Sequence, residues 1–166
     1  LIEKSSKKYQ QRMVEWIDIA LEEGIRFFVT SLGKPDWVAE RVHAVGGLVY
    51  HDVTEMKWAK IGLDNGADGL ICVNRRAGGH AGQQSMQQLY EELQVLDVPL
   101  VCAGGVGGSD ELWQALDQGY AACQLGTRFI ASEECRTSAV YKQAILAADE
   151  EDIVLSERVT GIPVSV

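Results

Sequence analysis

Two glycine-rich stretches of this sequence are suited to bind an anion through the peptide backbone. The first covers residues 104–108, of which four are glycines, and the second is the pair Gly126-Thr127. Glycine has no side chain to block a ligand, and it adopts turns in which several N–H groups point outward. Such turns bind phosphate groups in many proteins, although a glycine-rich connection can also be merely flexible. The two stretches therefore predict a phosphate site.

A third stretch, Ala77–Gly82, joins a histidine to a glycine pair. His80 directly follows Gly78-Gly79. An imidazole ordinarily titrates near neutral pH, so it can act as a general base or donate a hydrogen bond to an anion. A loop histidine with a structural hydrogen bond is the alternative. Arg75 and Arg76 precede the stretch and would either attract an anionic substrate or remain solvated.

Two further charged or titratable residues follow apolar runs. His51 ends one such run and, in the predicted register, points toward the mouth where a ligand would bind. Arg128 follows Thr127 and either adds charge to the anion site or pairs with a surface acid, and the second role is favoured. No Ser-His-Asp order, carboxylate pair or set of metal ligands stands out in the sequence.

The elements that must position these residues follow a repeated pattern. Amphipathic segments that mostly end at a glycine alternate with short apolar runs, and these runs suit strands buried on both faces. Helices between the strands make the strands parallel. The tail 160–166 is predicted to be a loop. The predicted strands are 25–30, 48–50, 68–73, 99–103 and 120–125, and the predicted helices are 9–23, 35–45, 55–65, 85–96, 110–118 and 137–148.

This alternation fits either an open doubly wound sheet or a (β/α)8 barrel. In both folds ligands lie at the carboxyl ends of the strands. The glycine turns follow the last two predicted strands, and (β/α)8 barrels commonly bind phosphate after strands seven and eight. We therefore expect an α/β protein with about strands 4–8 of a TIM barrel and their helices, the N-terminal part being missing. Residues 1–166 would then be the C-terminal part of one domain.

Composition excludes several classes of protein. The net charge of −9, from 15 basic and 24 acidic residues, argues against a nucleic-acid surface. No apolar run approaches the roughly 20 residues needed to span a bilayer, and Leu1–Gln10 lacks the apolar core of a signal peptide. None of the cysteines is spaced as CxxC, and buried reduced thiols are expected. The sequence predicts a cytoplasmic protein without a metal site. The cysteines are Cys72, Cys102, Cys123 and Cys135.

At its glycine turns the sequence resembles the nitronate monooxygenase family, formerly called 2-nitropropane dioxygenases. The resemblance runs from about Gly24 to the end, and it implies an FMN-dependent (β/α)8 barrel. His80 corresponds to the catalytic histidine of the family. The matching stretches are 66–69, 77–82, 98–106, 124–129, 132–135 and 141–142. By position, the implied phosphate residues are Gly104, Gly105, Gly126 and Thr127, the implied flavin contacts are Gly78 and Gly79, and Gln124 would lie nearby.

The implied reaction is the oxidation of an alkyl nitronate by dioxygen to a carbonyl compound and nitrite. His80 would abstract the α-proton of a neutral nitroalkane or donate a hydrogen bond to the nitronate. Residues 74–76 depart from the family, which often has a glycine- and acid-containing stretch here, so the substrate stays open. The resemblance implies a small-molecule substrate and O2 as partners, and it is compatible with a homo-oligomer.

Three other functions remain open on the same motifs. FMN-dependent enoyl-acyl-carrier-protein reductases share the Gly-Gly-His and Gly-Thr-Arg-Phe patterns and would use NAD(P)H. An isomerase or synthase barrel would use the same turns for a sugar phosphate. An incomplete, non-catalytic barrel would only bind or associate.

Overall fold

The computed structural model of the chain describes residues 7–158, 161 and 164–166. Five parallel strands form one sheet, and their spatial order is their order along the chain. The strands are β1 (Phe27–Thr30), β2 (Leu48–Val53), β3 (Gly69–Val73), β4 (Leu100–Ala103) and β5 (Ala122–Gln124). The helices are α1 (Lys7–Glu22), α2 (Asp36–His43), α3 (Met56–Asp64), α4 (Met86–Leu93), α5 (Ser109–Gln118), α6 (Thr127–Ile130) and α7 (Ala139–Ala147). Two 3-10 turns (Gln94–Leu96 and Glu150–Asp152) and an antiparallel pair, β6 (Leu155–Ser156) with β7 (Val164–Ser165), complete the described elements.

The two faces of the sheet bury different residues. One face packs against helices: Leu70 and Cys72 of β3 lie in a cluster with Leu89 and Leu93 of α4. The opposite face carries a smaller cluster, built around Ile71, that contains only strand and loop residues. Among the described residues, the helical residues of these two clusters therefore all pack on one face of the sheet. A doubly wound sheet would carry helices on both faces, so the predicted barrel architecture is confirmed as a partial TIM barrel.

The face without helices is concave in a barrel and leaves apolar side chains accessible. Phe27 is 52% exposed and its register partner Leu48 is 48% exposed. Phe27 also makes an edge contact with Tyr50, with ring centroids 4.9 Å apart. Gly69 makes room for that tyrosine, because a Cβ atom there would lie 2.5 Å from the ring. This face therefore has an aromatic surface along its β1–β2 side.

The five predicted strands correspond in order and place to the five strands of the parallel sheet, whereas the pair β6 and β7 was not predicted. Strand β2 continues past Tyr50 to Val53, since the polar residues His51 and Asp52 interrupt the apolar run but not the ladder. The prediction of a loop over 160–166 is wrong for Val164–Ser165, which forms β7. Residues 160, 162 and 163 of that prediction lie outside the described residues. Strands β6 and β7 were both missed because a strand of two residues is too short to show a periodic pattern.

Among the described residues, no helix is long and apolar enough to cross a lipid bilayer.

Candidate functional site

The site begins with the segment between β3 and α4, residues 74–85, which carries His80. Its two ends are joined because the Arg75 N–H donates to the Gln84 carbonyl at 2.8 Å. Gly82 packs so closely on the end of β3 that an added Cβ would lie 2.5 Å from the Val73 carbonyl oxygen. The base of this segment is therefore fixed to the sheet at the carboxyl end of β3.

Asn74 connects this segment to the glycine turn that follows β4. The residue is 1% exposed, and its backbone N–H donates to the Ala103 carbonyl at 3.0 Å. Its side-chain amide donates to the Gly104 carbonyl at 2.9 Å, and its side-chain oxygen accepts from the Arg76 N–H at 2.8 Å. One buried side chain thus holds two turns together. The sequence reasoning missed this role, although an asparagine directly after a fully apolar strand is a signal for it.

Gly104 and Gly105 have backbone conformations that favour glycine, with φ of +113° and +72°. A Cβ at Gly104 would lie 2.5 Å from both the Ala77 nitrogen and the Asn74 side-chain oxygen. The absence of a side chain therefore lets this turn lie directly on the turn after β3. Within the described part of the chain, no hydrogen bond is made by the Gly104 or Gly105 N–H groups.

The turn after β5 meets both of the others. A Cβ at Gly78 would lie 2.9 Å from the Thr127 hydroxyl oxygen, so residues after β3 and β5 approach each other above β4. The Arg128 guanidinium donates to the Gly107 carbonyl. The structure therefore differs from the favoured interpretation, in which Arg128 pairs with a surface acid. Around Gly126 itself the described residues leave open space, with none of their atoms outside the adjacent residues within 4 Å of an added Cβ.

These three turns form one surface, which we call the turn cluster and define as residues 76–79, 104–105 and 126–128, with Asn74 joining the first two turns. It fits a phosphate group, because the glycine turns provide a cradle without side chains and N–H groups that the described protein leaves without acceptors. Gln124 lies beside the cluster: it is exposed and pairs in register with Ala103, which belongs to the concave-face cluster. The structure therefore brings together the residues that the resemblance had implied.

His80 lies next to the turn cluster on a supported backbone. The N–H of Gly79 donates to the Ser165 carbonyl at 3.1 Å, and the Ser165 N–H donates back to the Gly79 carbonyl at 2.8 Å. Strand β7 thus pairs with the residue that precedes the histidine. The imidazole is exposed and, among the described residues, makes no hydrogen bond or ion pair. It is accessible to a ligand, and the loop alternative with a structural hydrogen bond is not observed.

His51 does not point toward the mouth, and that prediction is wrong. Its side chain is 3% exposed and packs against α3, where a Cβ at Gly62 would lie 2.9 Å from the ring. Its Nδ1 lies 2.8 Å from the Thr30 hydroxyl oxygen. Burial lowers the pKa of His51 below its usual value, so the neutral form is favoured. The alternation of side chains along β2 places His51 on the helix side and Tyr50 on the concave side.

The four cysteines are unpaired thiols, and two of them lie in the core. Burial raises the pKa of Cys72 and of Cys102 to about 12, so both are neutral thiols in the core, as expected. Cys123 and Cys135 are also free, and both are half-buried. Over the described ranges no group of three or more His, Cys, Asp or Glu side chains is arranged to hold a metal ion.

Replacing Asn74 by alanine is expected to destabilise the protein by about 2–4 kcal/mol, because the Gly104 carbonyl and the Arg76 N–H lose a buried partner. Urea unfolding of the full-length apoprotein measures this change. Asn65→Ala is the matched control, since Asn65 donates one bond to the Ile61 carbonyl at a helix end and should cost less than about 1 kcal/mol. Equal losses of unfolding free energy in the two variants would contradict the role of the Asn74 side chain in holding the two turns together.

Comparison with known proteins adds independent observations. The profile of the nitronate monooxygenase family matches residues 2–166. A hydroxy-methyl-oxo-octahydroindene-carboxyl-CoA dehydrogenase of Rhodococcus jostii is 30% identical over 89% of this chain and 42% of its own length. FabK from Thermotoga maritima superposes with a TM-score of 0.85 at 26% identity, covering 99% of this chain and 52% of that one.

Nitroalkane oxidase from Streptomyces ansochromogenes superposes with a TM-score of 0.76 at 27% identity, over 90% of this chain and 47% of that one. The chain thus spans about half the length of the relatives that it matches.

Proposed function

Because the chain belongs to the nitronate monooxygenase family, we propose that it is part of an FMN-dependent oxidoreductase that oxidises alkyl nitronates with dioxygen to carbonyl compounds and nitrite. The observation that carries this proposal is the convergence of three glycine turns beside an exposed histidine. Gly78 approaches Thr127, and Gly104 lies on Asn74 and Ala77. A phosphate cradle and a base are thereby brought to the same end of a parallel sheet, where such barrels act on their ligands.

The proposal assigns the turn cluster to the cofactor. The N–H groups of Gly104, Gly105 and Gly126 and the hydroxyl of Thr127 would bind the FMN phosphate, since the described protein leaves those N–H groups without acceptors. Gly78 and Gly79 would contact the flavin through the backbone, and Gln124 would lie nearby. Bound FMN would supply the electron acceptance that a nitronate needs and the subsequent reaction with dioxygen.

His80 would hold or move one proton. With a neutral nitroalkane, an imidazole nitrogen takes the proton from the α-carbon, and the electron pair of that C–H bond passes to the nitro group to give the nitronate. With a substrate that is already a nitronate, the same nitrogen, when protonated, donates a hydrogen bond to it. The two backbone hydrogen bonds between Gly79 and Ser165 hold the backbone that directly precedes this histidine.

Two of the comparisons favour a second candidate, an FMN-dependent enoyl-acyl-carrier-protein reductase that uses NAD(P)H. One relative acts as a dehydrogenase on a carboxyl-CoA compound, and FabK has the higher TM-score, 0.85 against 0.76 for the nitroalkane oxidase. The turn cluster would hold the same cofactor in both functions. The two proposals therefore differ in the substrate that binds beside His80 and in the compound that supplies the electrons, which is the nitronate in one case and NAD(P)H in the other.

A pair of assays on the full-length protein separates the two candidates. We expect nitrite release from propyl-2-nitronate in air without added reductant, and no oxidation of NADPH or NADH that depends on a crotonyl thioester. Thioester-dependent NAD(P)H oxidation without nitrite release would instead support the enoyl reductase.

A further inference from the structure

Arg76 lies against the glycine cradle by both its backbone and its side chain. Its N–H donates to the buried side-chain oxygen of Asn74 at 2.8 Å, which fixes the start of the side chain. A Cβ built on Gly105 would lie 3.0 Å from Cβ and Cδ of Arg76 and 3.1 Å from its Nε. The aliphatic part of Arg76 therefore covers Gly105, and the start of the guanidinium lies at the edge of the cradle.

The charge around this edge differs from that of the whole chain. The chain carries a net charge of −9, yet Arg76 lies at Gly105 and Arg128 donates to the Gly107 carbonyl. Glu111 also contacts this glycine turn, and its carboxylate accepts from the Gly108 N–H at 2.8 Å. Two guanidinium groups thus approach a cradle of backbone N–H groups. This combination is suited to a phosphate dianion, because the planar guanidinium can donate two hydrogen bonds to phosphate oxygens.

Arg75 offers a natural comparison. It is adjacent, equally charged and also exposed, but its backbone N–H donates to Gln84 at the far end of the segment. No atom of Arg75 is among those nearest to a Cβ added at Gly104 or Gly105. Position rather than charge alone distinguishes the two arginines.

We propose that Arg76 is a phosphate ligand whose guanidinium binds the phosphate monoester held by the Gly104–Gly105 turn. The inference rests on the proposed function, in which that phosphate belongs to FMN. It adds a charged side chain to a site that otherwise uses backbone N–H groups and the Thr127 hydroxyl. The anionic group of a substrate is the other source of a ligand for this guanidinium, and the test separates the two.

The test compares FMN with riboflavin, which lacks the phosphate, on the full-length apoprotein. Flavin fluorescence gives the dissociation constants for the wild type, Arg76→Gln and Arg75→Gln. We expect Arg76→Gln to weaken FMN binding by about 10- to 100-fold and to leave riboflavin binding within about twofold. Arg75→Gln should leave both constants within about twofold, and Arg76→Lys should recover part of the FMN affinity.

Three results would overturn the assignment. Equal losses of FMN affinity in the two glutamine variants would indicate general attraction by surface charge. Equal losses for FMN and riboflavin in Arg76→Gln would indicate a structural role. An unchanged FMN affinity with a raised KM for an anionic substrate would assign Arg76 to the substrate.

The proposed function can fail separately. If the wild-type protein binds neither FMN nor riboflavin, the proposal of a flavin cofactor is wrong. Inorganic phosphate is then the probe that tests the role of Arg76. Phosphate should raise the melting temperature of the wild type and of Arg75→Gln but not of Arg76→Gln. An equal rise in all three proteins would overturn the assignment of Arg76 as well.

Discussion

Replacing Gly126 by alanine is expected to weaken FMN binding by about 10- to 100-fold while leaving the apoprotein folded. The described part of the chain has room for the new methyl group, because it places no atom outside the adjacent residues within 4 Å of the added Cβ. The backbone also accepts alanine, since φ at Gly126 is −127°. We therefore expect the loss to come from a ligand that occupies this space, since forcing an extra methyl group into a packed contact costs about 1–3 kcal/mol. Fluorescence titration of the full-length apoprotein with FMN measures the change.

Gly107→Ala is the matched control for this experiment. It adds the same methyl group to a neighbouring glycine turn, again with no atom within 4 Å and without a positive φ. FMN affinity and melting temperature should stay near the wild-type values. If Gly126→Ala binds FMN as tightly as Gly107→Ala does, the cofactor phosphate does not lie over the turn after β5.

His80→Asn is expected to lower the rate constant for nitroethane oxidation by about 100- to 10,000-fold, the usual contribution of a positioned general base. With the preformed nitronate as substrate the loss should be much smaller, because no C–H bond then has to be broken. The variant should fold normally, since the His80 side chain is exposed and makes no hydrogen bond or ion pair with another described residue. Steady-state kinetics of the full-length protein with both substrates measures the two losses.

The comparison of substrates is the internal control for His80. A general base is needed only for the neutral nitroalkane, so the ratio of the two activities must change. Equal activity of the wild type and His80→Asn on nitroethane would contradict proton abstraction by this residue. An equal loss on both substrates would instead indicate that His80 orients the nitronate or supports the cofactor.

The strands could be predicted because their signals are local. Each apolar run and the glycine near it are read from a few adjacent residues, and β3, with all five residues buried, is the clearest case. The candidate site residues His80, Gly104 and Gly126 were identified for the same reason. Glycine is informative there because its lack of a side chain is the property that the turn uses.

The contacts that hold the site together could not be predicted from local pattern. Asn74 bonds to Gly104, and Gly79 bonds to Ser165, across long stretches of sequence. The direction of His51 was mispredicted because a run that ends in a histidine does not show where the strand ends. Side chains alternate along β2, which runs to Val53, and this alternation places His51 on the helix side with Val49 and Val53.

The proposed role of the turn cluster and His80 is the oxidation of a nitronate by a bound flavin. It is tested by nitrite release from the full-length, flavin-loaded protein given propyl-2-nitronate in air, with acetone measured in the same reaction. We expect nitrite and acetone in equal amounts, formed over many turnovers and absent without the flavin. A flavin-loaded protein that consumes no nitronate and releases no nitrite would contradict this role.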